Sequence, residues 1–409
     1  MTEILENSCR ICNKIVREVI DIGSSPPANN FISSLDEESR LYPLIVDFCD
    51  SCSSLQLRNC LNEDDLYKNY SYMTPDTDSQ IQHYEILISY LKERNIVDNR
   101  TNCLELGSNT GLFLKSLEPN VGSVLGIDPA ENIAAIANRE GVKTIAEFFT
   151  PKTASKILKD YGAQDLVIAR HMFAHNKFPK PMLEGVCALL SENGSFIIEN
   201  AYAIPTLENG ELDQIYHEHM FYYSVKSMQT LLDFYSLEIT SLLETSLHGG
   251  SLVFIASRKG SRPIEPIVEE YVEKEDSLFL EDKIFSHFNE NASSLKDKVL
   301  QEIRLDQAGG KRIGAYGATA KAFTLFSFLG LDNSDLEYCV DTTPTKIGKI
   351  FPFFNIPVIS EEQHTIDPVD SFIVTAWNYK DHIVKKAPKF MKKGTKLIFP
   401  LPYFEVIEV

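Results

Sequence analysis

The chain has 409 residues and a formal net charge of −19. That is enough length for two or three domains, and the wrong sign for a general nucleic-acid or anionic-membrane surface. Its apolar fraction of 44% is ordinary for a globular protein, and no apolar run reaches the roughly 18 residues of a membrane span.

The start, Met1-Thr2-Glu3-Ile4-Leu5-Glu6, is acidic and lacks the basic and apolar regions of a secretory leader. A reducing cytoplasm is therefore expected, where the eight cysteines are free thiols or metal ligands. Residues 1–75 read as short extended pieces with turns such as Gly23-Ser24-Ser25-Pro26-Pro27. They hold two CxxC pairs, Cys9/Cys12 and Cys49/Cys52. The two-residue gap lets both sulfurs of a pair reach one tetrahedral ion at about 2.3 Å, and two pairs close a four-thiolate shell. That pattern implies a structural zinc lobe with no catalytic role. A redox pair would need a thioredoxin-like βαβ context, which is missing here. Cys60, Cys103, Cys187 and Cys339 stand singly and read as core thiols.

A helix is expected from Gln80 to Lys92, with Ile86, Leu87 and Leu91 on one face. A domain is expected over 76–258, and from 101 to 257 strands and helices alternate. Strands are expected at 102–106, 124–127, 166–169, 195–199 and 252–256, and helices at 111–117, 130–139, 179–190 and 225–235. This alternation predicts an α/β domain with a mainly parallel, Rossmann-like sheet. Its first turn is the informative one. Cys103-Leu104-Glu105-Leu106-Gly107-Ser108-Asn109-Thr110-Gly111 runs from a strand into a helix, and the next strand ends in Asp128. A dinucleotide fingerprint puts a glycine two positions after the first, where the backbone approaches a pyrophosphate. Asn109 occupies that place, and the next glycine is Gly111. A ligand with an adenosine and no pyrophosphate fits better, S-adenosylmethionine being the common one. Glu105 suits a cationic sulfonium and Asp128 suits ribose hydroxyls. An ordinary βα turn in a doubly wound domain is the other reading of this segment.

A connector is expected over 259–310; from 262 to about 307 charge is dense, and Phe279, Leu280, Ile284, Phe285 and Phe288 recur at helical spacing. One or two connecting helices are expected, ended by Gly309-Gly310, with the stripe serving as plain packing. A second α/β unit occupies 311–409. Arg312-Ile313-Gly314-Ala315-Tyr316-Gly317 is a strand and turn, a helix follows from about Thr319, and Leu336 to Asp341 is a second strand ending in an acid. Later strands are Ser371 to Trp377 and Lys396 to Phe399.

The densest polar cluster is Tyr216-His217-Glu218-His219, followed by Tyr222-Tyr223. His171 and His175 follow the strand at 166–169, at the carboxyl end of the sheet where ligands sit. An imidazole takes a proton near neutrality without large tuning, and a phenol beside it can donate to a developing oxyanion. That pair suits proton abstraction next to a carbonyl. His217 and His219 do not form HExxH, which argues against a second metal; satisfied structural histidines are the plainer alternative. Gly249 in His248-Gly249-Gly250-Ser251 allows a tight turn or a close approach to a ligand. In the tail unit, Gly317-Ala318-Thr319-Ala320-Lys321 opens a helix whose free N–H groups, with Lys321 and Lys346, could hold a phosphate. A capped helix with surface lysines is the alternative.

Taken together, these segments resemble the sugar C-methyltransferase family, over nearly the whole chain. The resemblance rests on the four cysteines, Glu105-Leu106-Gly107-Ser108-Asn109, Phe173-Ala174-His175, Ile215-Tyr216-His217-Glu218-His219, His248-Gly249-Gly250-Ser251 and Tyr316-Gly317-Ala318-Thr319-Ala320-Lys321. Tyr70-Ser71-Tyr72 matches the family's N-terminal Tyr-x-Tyr. Thr110 replaces an expected acid, Asp128 a common Glu, and Thr319 a usual Pro. The resemblance implies transfer of the methyl of S-adenosylmethionine to C3 of a nucleotide-linked 4-keto-6-deoxysugar. It implies His219 as base, Tyr216 as orienting group or donor to the C4 oxygen, and Glu218 as the group that fixes its neighbours. His175 and Tyr70 would line the sugar pocket, with Tyr72, His217, Tyr222, His248, Gly249, Gly317, Lys321 and Lys346 toward the substrate. A small-molecule O- or N-methyltransferase, and a non-catalytic SAM-fold binding protein, are the other functional classes.

Overall fold

The structure is a computed structural model of the chain, described at residues 3–4, 7–62, 73–74, 76–245 and 249–409. Tyr70, Tyr72 and His248 lie outside the described residues. Among the described residues the strands are β1 (Glu3–Ile4), β2 (Arg17–Ser25), β3 (Tyr42–Cys49), β4 (Ser54–Leu57), β5 (Asn59–Cys60), β6 (Asn102–Leu106), β7 (Ser123–Ile127), β8 (Thr144–Ile145), β9 (Gln164–Arg170) and β10 (Leu190–Ala201). They continue as β11 (Phe221–Tyr222), β12 (Leu237–Thr245), β13 (Ser251–Arg258), β14 (Ile313–Tyr316), β15 (Cys339–Val340), β16 (Ile350–Phe351), β17 (Ile356–Ile359), β18 (Ser371–Val374), β19 (Lys396–Phe399) and β20 (Glu405–Glu408).

The central sheet has the order β12-β13-β10-β9-β6-β7-β8. The five strands from β10 to β8 are parallel, and β13 and β12 close the edge as an antiparallel hairpin. Leu166 to Ala169 of β9 are fully buried, as expected for a parallel strand covered by helices on both faces. The strand order reverses between β6 and β9, which opens a crevice at their carboxyl ends. The covering helices include Leu112–Leu117, Glu131–Arg139, Pro179–Leu189 and Val225–Asp233. The helix Pro151–Tyr161 was not anticipated, although its signal is in the chain: Thr150 caps it by accepting from the Thr153 N–H, and Pro151 sits in its first turn. In the helix Asp78–Glu93, Leu87 and Leu91 are buried with Tyr84 and Ile88. Ile86 is half exposed, so the apolar face is rotated from the expected one.

The tail sheet repeats the plan with the order β16-β17-β15-β14-β18-β19-β20, parallel from β17 to β19. Two helices, Pro266–Phe279 and Lys283–Ala308, join the two sheets. Phe279, Ile284, Phe285 and Phe288 of the expected stripe are buried, and the rings of Phe279 and Phe285 pack on Phe48 of β3. Leu280 sits between the two helices and is exposed.

The third sheet was not foreseen in its full form. Its order is β11-β4-β3-β2. Three strands come from the cysteine lobe, and the fourth, β11, lies just after the Tyr216–His219 run. Phe221 pairs with Gln56 and Tyr222 with Leu55. The chain thus inserts a strand of the central domain into the N-terminal lobe.

Candidate active site

The crevice at the switch point of the central sheet forms a cavity of about 370 Å³, within the range of small-ligand sites. Gly107, Ser108, Asn109, Asp128, Met172 and His175 are among its lining residues. The turn is tight: Gly107 and Gly111 take φ of 65° and 79°, and Asn109 takes 50°. A Cβ at Gly107 would lie 2.9 Å from Met172, so that position admits only glycine for space as well as for φ. Asp128 accepts from the N–H groups of Asn109 at 2.9 Å and Ala130 at 3.0 Å. These bonds fix its carboxylate in the cavity wall and leave lone pairs for further donors. Ser108 Oγ is buried without a hydrogen-bond partner among the described residues. These features fit S-adenosylmethionine.

Glu105 is placed differently from the expectation. It is buried, does not line the cavity, and its Oε1 accepts from Arg170 Nε at 3.0 Å. Burial pushes its carboxyl up to about 7, with Arg170 opposing. Arg170 is the residue that faces the cavity, stacked on the rings of Phe113 and Tyr84. The sequence reading also missed Glu199 on β10, whose oxygens lie 2.8 Å from His83 Nε2 and 3.5 Å from His171 Nε2. Burial would raise Glu199, but His171 and His83 hold it well below the usual carboxylate range. A charge in the otherwise apolar run Phe196-Ile197-Ile198-Glu199 was the available signal.

His175 lines the cavity, and its ring stands 5.2 Å from that of His219. Burial, with His171 adding, lowers the His175 imidazole to about 4. His219 Nδ1 lies 2.9 Å from the Gln214 carbonyl, and its Nε2 lies 2.7 Å from Tyr216 Oη. A carbonyl only accepts, so Nδ1 carries the proton. Burial, with His175 adding, holds this imidazole well below its ordinary value and therefore neutral. Nε2 then has a lone pair, and the Tyr216 hydroxyl donates to it. The unit is a base whose tautomer is set by the backbone and whose lone pair faces a phenol.

Other members of the run have other surroundings. His217 is fully buried, with Nε2 3.2 Å from the Tyr42 carbonyl of the cysteine lobe. Burial lowers it to about 4. It packs against the cysteine lobe and is not among the residues that line the cavity. Tyr222 is buried and donates to the Gln214 carbonyl at 3.3 Å, so it supports the acceptor of His219 rather than facing a ligand. Glu218 is buried and accepts from Asn29 Nδ2 at 3.0 Å.

The tail unit meets the segment before this cluster, where Thr324 donates to the Ile215 carbonyl at 2.8 Å. Gly317 takes φ of 101° and donates its N–H to the Val340 carbonyl at 2.8 Å. The Ala318 N–H is taken by Asp341 at 2.6 Å, and Lys346 Nζ donates to the Ala318 carbonyl at 2.7 Å. Two groups expected to hold a phosphate are thus already engaged. Thr319 caps the helix Ala320–Leu329 through the Ala322 N–H. Lys321 turns inward. Its buried ammonium has no hydrogen-bond partner among the described residues and lies 4.1 Å from the centre of the Trp377 ring. Trp377 Nε1 donates to Asp213 Oδ2 at 2.6 Å, one residue before Gln214. A Cβ at Gly249, whose φ is 97°, would lie 2.7 Å from Glu211 Oε2 and 2.8 Å from Trp377. Glycine there lets the chain close over this group.

The four cysteine sulfurs lie within 4.8 Å of one another. Across the two pairs, Cys9 lies 3.6 Å from Cys52 and Cys12 lies 3.4 Å from Cys49. A tetrahedral zinc with four thiolates needs this spacing, so the donor set fits the ion.

Known protein families match the chain along most of its length. A family model described as "Putative zinc binding domain" matches residues 9–67, a "Methyltransferase domain" model matches 79–242, and a "C-methyltransferase C-terminal domain" model matches 246–402. C-methyltransferase NovU of Streptomyces niveus is 33% identical over 406 residues, covering 98% of this chain and 97% of that protein. The chain belongs to the C-methyltransferase family. Solved structures give weaker likenesses. Magnesium protoporphyrin IX methyltransferase of Synechocystis with bound SAM is 13% identical over 44% of this chain and 80% of its own, with a TM-score of 0.33. N-methyltransferase NodS of Bradyrhizobium japonicum is 13% identical over 44% of this chain and 97% of its own, with a TM-score of 0.33. As a C-methyltransferase, the chain is a SAM-dependent enzyme with a four-cysteine zinc site at its N-terminal lobe. Among the described residues no helix is long and apolar enough to cross a membrane.

Proposed function

We propose that this C-methyltransferase methylates C3 of a nucleotide-linked 4-keto-6-deoxysugar, through an enolate generated by His219. The observation that supports this reading best is the Tyr216–His219 pair, a neutral imidazole with a backbone-fixed tautomer, beside His175 on the wall of the cavity. Carbon methylation needs an acidified C–H bond, and a ketone next to C3 supplies one. When bound, S-adenosylmethionine provides the electrophilic methyl and leaves as S-adenosylhomocysteine.

The protein's own part is proton transfer and positioning. With the Tyr216 hydroxyl turned to the C4 oxygen, His219 Nε2 is free to take the C3 proton. The C–H electron pair moves into the C3–C4 bond, and the carbonyl oxygen becomes an oxyanion. Lys321, whose ammonium is buried against Trp377 rather than exposed at the surface, suits that developing charge better than a diphosphate. The nucleotide would then lie along the tail unit beyond Gly317. Asp128 and the turn at Gly107 hold the donor so that C3 and the methyl meet in line. An acidic chain whose zinc-ligating thiols must stay reduced fits a cytoplasmic enzyme acting on a soluble nucleotide sugar.

The test is mass spectrometry and NMR of products after incubation with SAM and a panel of thymidine-, uridine-, cytidine- and guanosine-linked keto sugars. A new carbon–carbon bond at C3 is expected. Methyl on oxygen or nitrogen would replace this reading with an O- or N-methyltransferase. Absence of SAM binding by calorimetry would leave a non-catalytic SAM-fold protein.

A further inference from the structure

The zinc knuckle contains an arginine that points inward. Arg10, between Cys9 and Cys12, is only 9% exposed. Its Nη1 donates to the Leu57 carbonyl at 2.8 Å and its Nη2 to the Met220 carbonyl at 2.7 Å. The guanidinium also covers the Phe221 ring at 4.6 Å, and the Arg10 N–H donates to Gln56 Oε1 at 2.9 Å.

Met220 is the residue after His219. Its carbonyl accepts from Arg10 and from the Leu57 N–H at 3.1 Å, and its own N–H donates to the Ala174 carbonyl at 2.9 Å. Ala174 precedes His175. One residue therefore ties the two neighbouring histidines together: the N–H of Met220, in the peptide that follows His219, holds Ala174, and its carbonyl, in the next peptide, is clamped by Arg10 from the zinc side. The knuckle is ordered by N–H groups of Ile11 and Cys12 directed at Cys9 Sγ at 3.4 and 3.5 Å.

We propose that Arg10 is a positioning residue that sets His219 against His175 and the donor cavity, so that the zinc lobe tunes the reaction as well as the fold. This rests on the reading of His219 as the base. A planar fork that bridges two carbonyls fixes both distance and direction, which a point charge does not. Displacement of a base by a fraction of an ångström costs rate without costing substrate affinity.

The test is Arg10→Met and Arg10→Lys in the full-length zinc-loaded enzyme, with zinc content and SAM affinity measured alongside turnover of thymidine-linked 4-keto-6-deoxyglucose. Arg10→Met is expected to keep its zinc and its SAM affinity, to leave KM within about threefold, and to lower kcat by about 10- to 100-fold. Arg10→Lys is expected to regain part of kcat. Histidine ring ¹⁵N spectra, with the His219 signal assigned by its loss in His219→Gln, give a readout that needs no substrate. The His219 signal should move in Arg10→Met and less in Arg10→Lys. An unmoved signal, or wild-type kcat, overturns the proposal. If Arg10→Met loses zinc, the wild-type enzyme is treated with a chelator instead. Loss of the His219 signal position with SAM binding intact supports the proposal, and an unchanged signal overturns it. Failure of wild type to methylate the sugar removes the substrate reading alone, because the ring signal still reports on Arg10.

Discussion

Tyr216 Oη and His219 Nε2 lie 2.7 Å apart, and the Gln214 carbonyl 2.9 Å from Nδ1 decides which of them gives the proton. The phenol donates and the imidazole accepts. The same carbonyl takes the Tyr222 hydroxyl, so the tautomer is held by one backbone oxygen with two donors. Two substitutions separate the roles. His219→Gln should lower methyl transfer by about 10³-fold, and Tyr216→Phe by about 10²-fold, with SAM affinity kept in both. If Tyr216→Phe is as inactive as His219→Gln, the phenol itself relays the C3 proton.

Donor affinity should depend on Asp128. Its carboxylate is aimed by the Asn109 and Ala130 N–H groups. Asp128→Ala removes a charged acceptor, worth roughly 1.5–3 kcal/mol, or about 10- to 100-fold in Kd. Calorimetry with SAM measures it directly. An unchanged Kd would move the ribose elsewhere.

Lys321 carries a prediction against its first assignment. Lys321→Met should lower kcat by about 10²-fold while leaving the Kd for thymidine diphosphate unchanged. Loss of nucleotide affinity with kcat retained would return this lysine to phosphate binding.

The buried histidines make stability depend on pH with a definite sign. His217 is lowered to about 4 by burial, against about 6.5 in an unfolded chain. The unfolded chain therefore binds more protons than the folded one between those values. Stability is fully present above pH 6.5 and falls as pH drops toward 4, by about 3 kcal/mol for this fully buried group. His175, also lowered to about 4, adds to the slope. Thermal unfolding of wild type and His217→Phe between pH 7 and 5 checks it; the variant should show the shallower slope. Equal slopes would mean that His217 is not the titrating group.

Much of this was legible from local pattern. The turn at Gly107, the acid Asp128, the paired cysteines and most central strands follow from glycine spacing, apolar runs and ligand spacing. What was not legible depends on long-range pairing. Nothing near Phe221 announces that it will pair with Gln56 far upstream, and nothing near Arg10 announces Met220. Glu105 looked like a donor contact because its partner Arg170 lies on another strand. His217 and His219 differ by two positions and point to different domains, which a run of polar residues cannot reveal. The strand Leu237–Thr245 was missed because Ser241, at a register shift, breaks the alternation that Leu237-Glu238-Ile239-Thr240 begins.

The central claim is that His219 ionises the C3–H bond of a keto sugar. It is tested most directly by incubating enzyme and keto sugar in deuterium oxide with S-adenosylhomocysteine in place of SAM. The account predicts washout of the C3 proton by wild-type enzyme and none by His219→Gln. No washout by a wild-type enzyme that methylates the sugar, or equal washout by the variant, would contradict it.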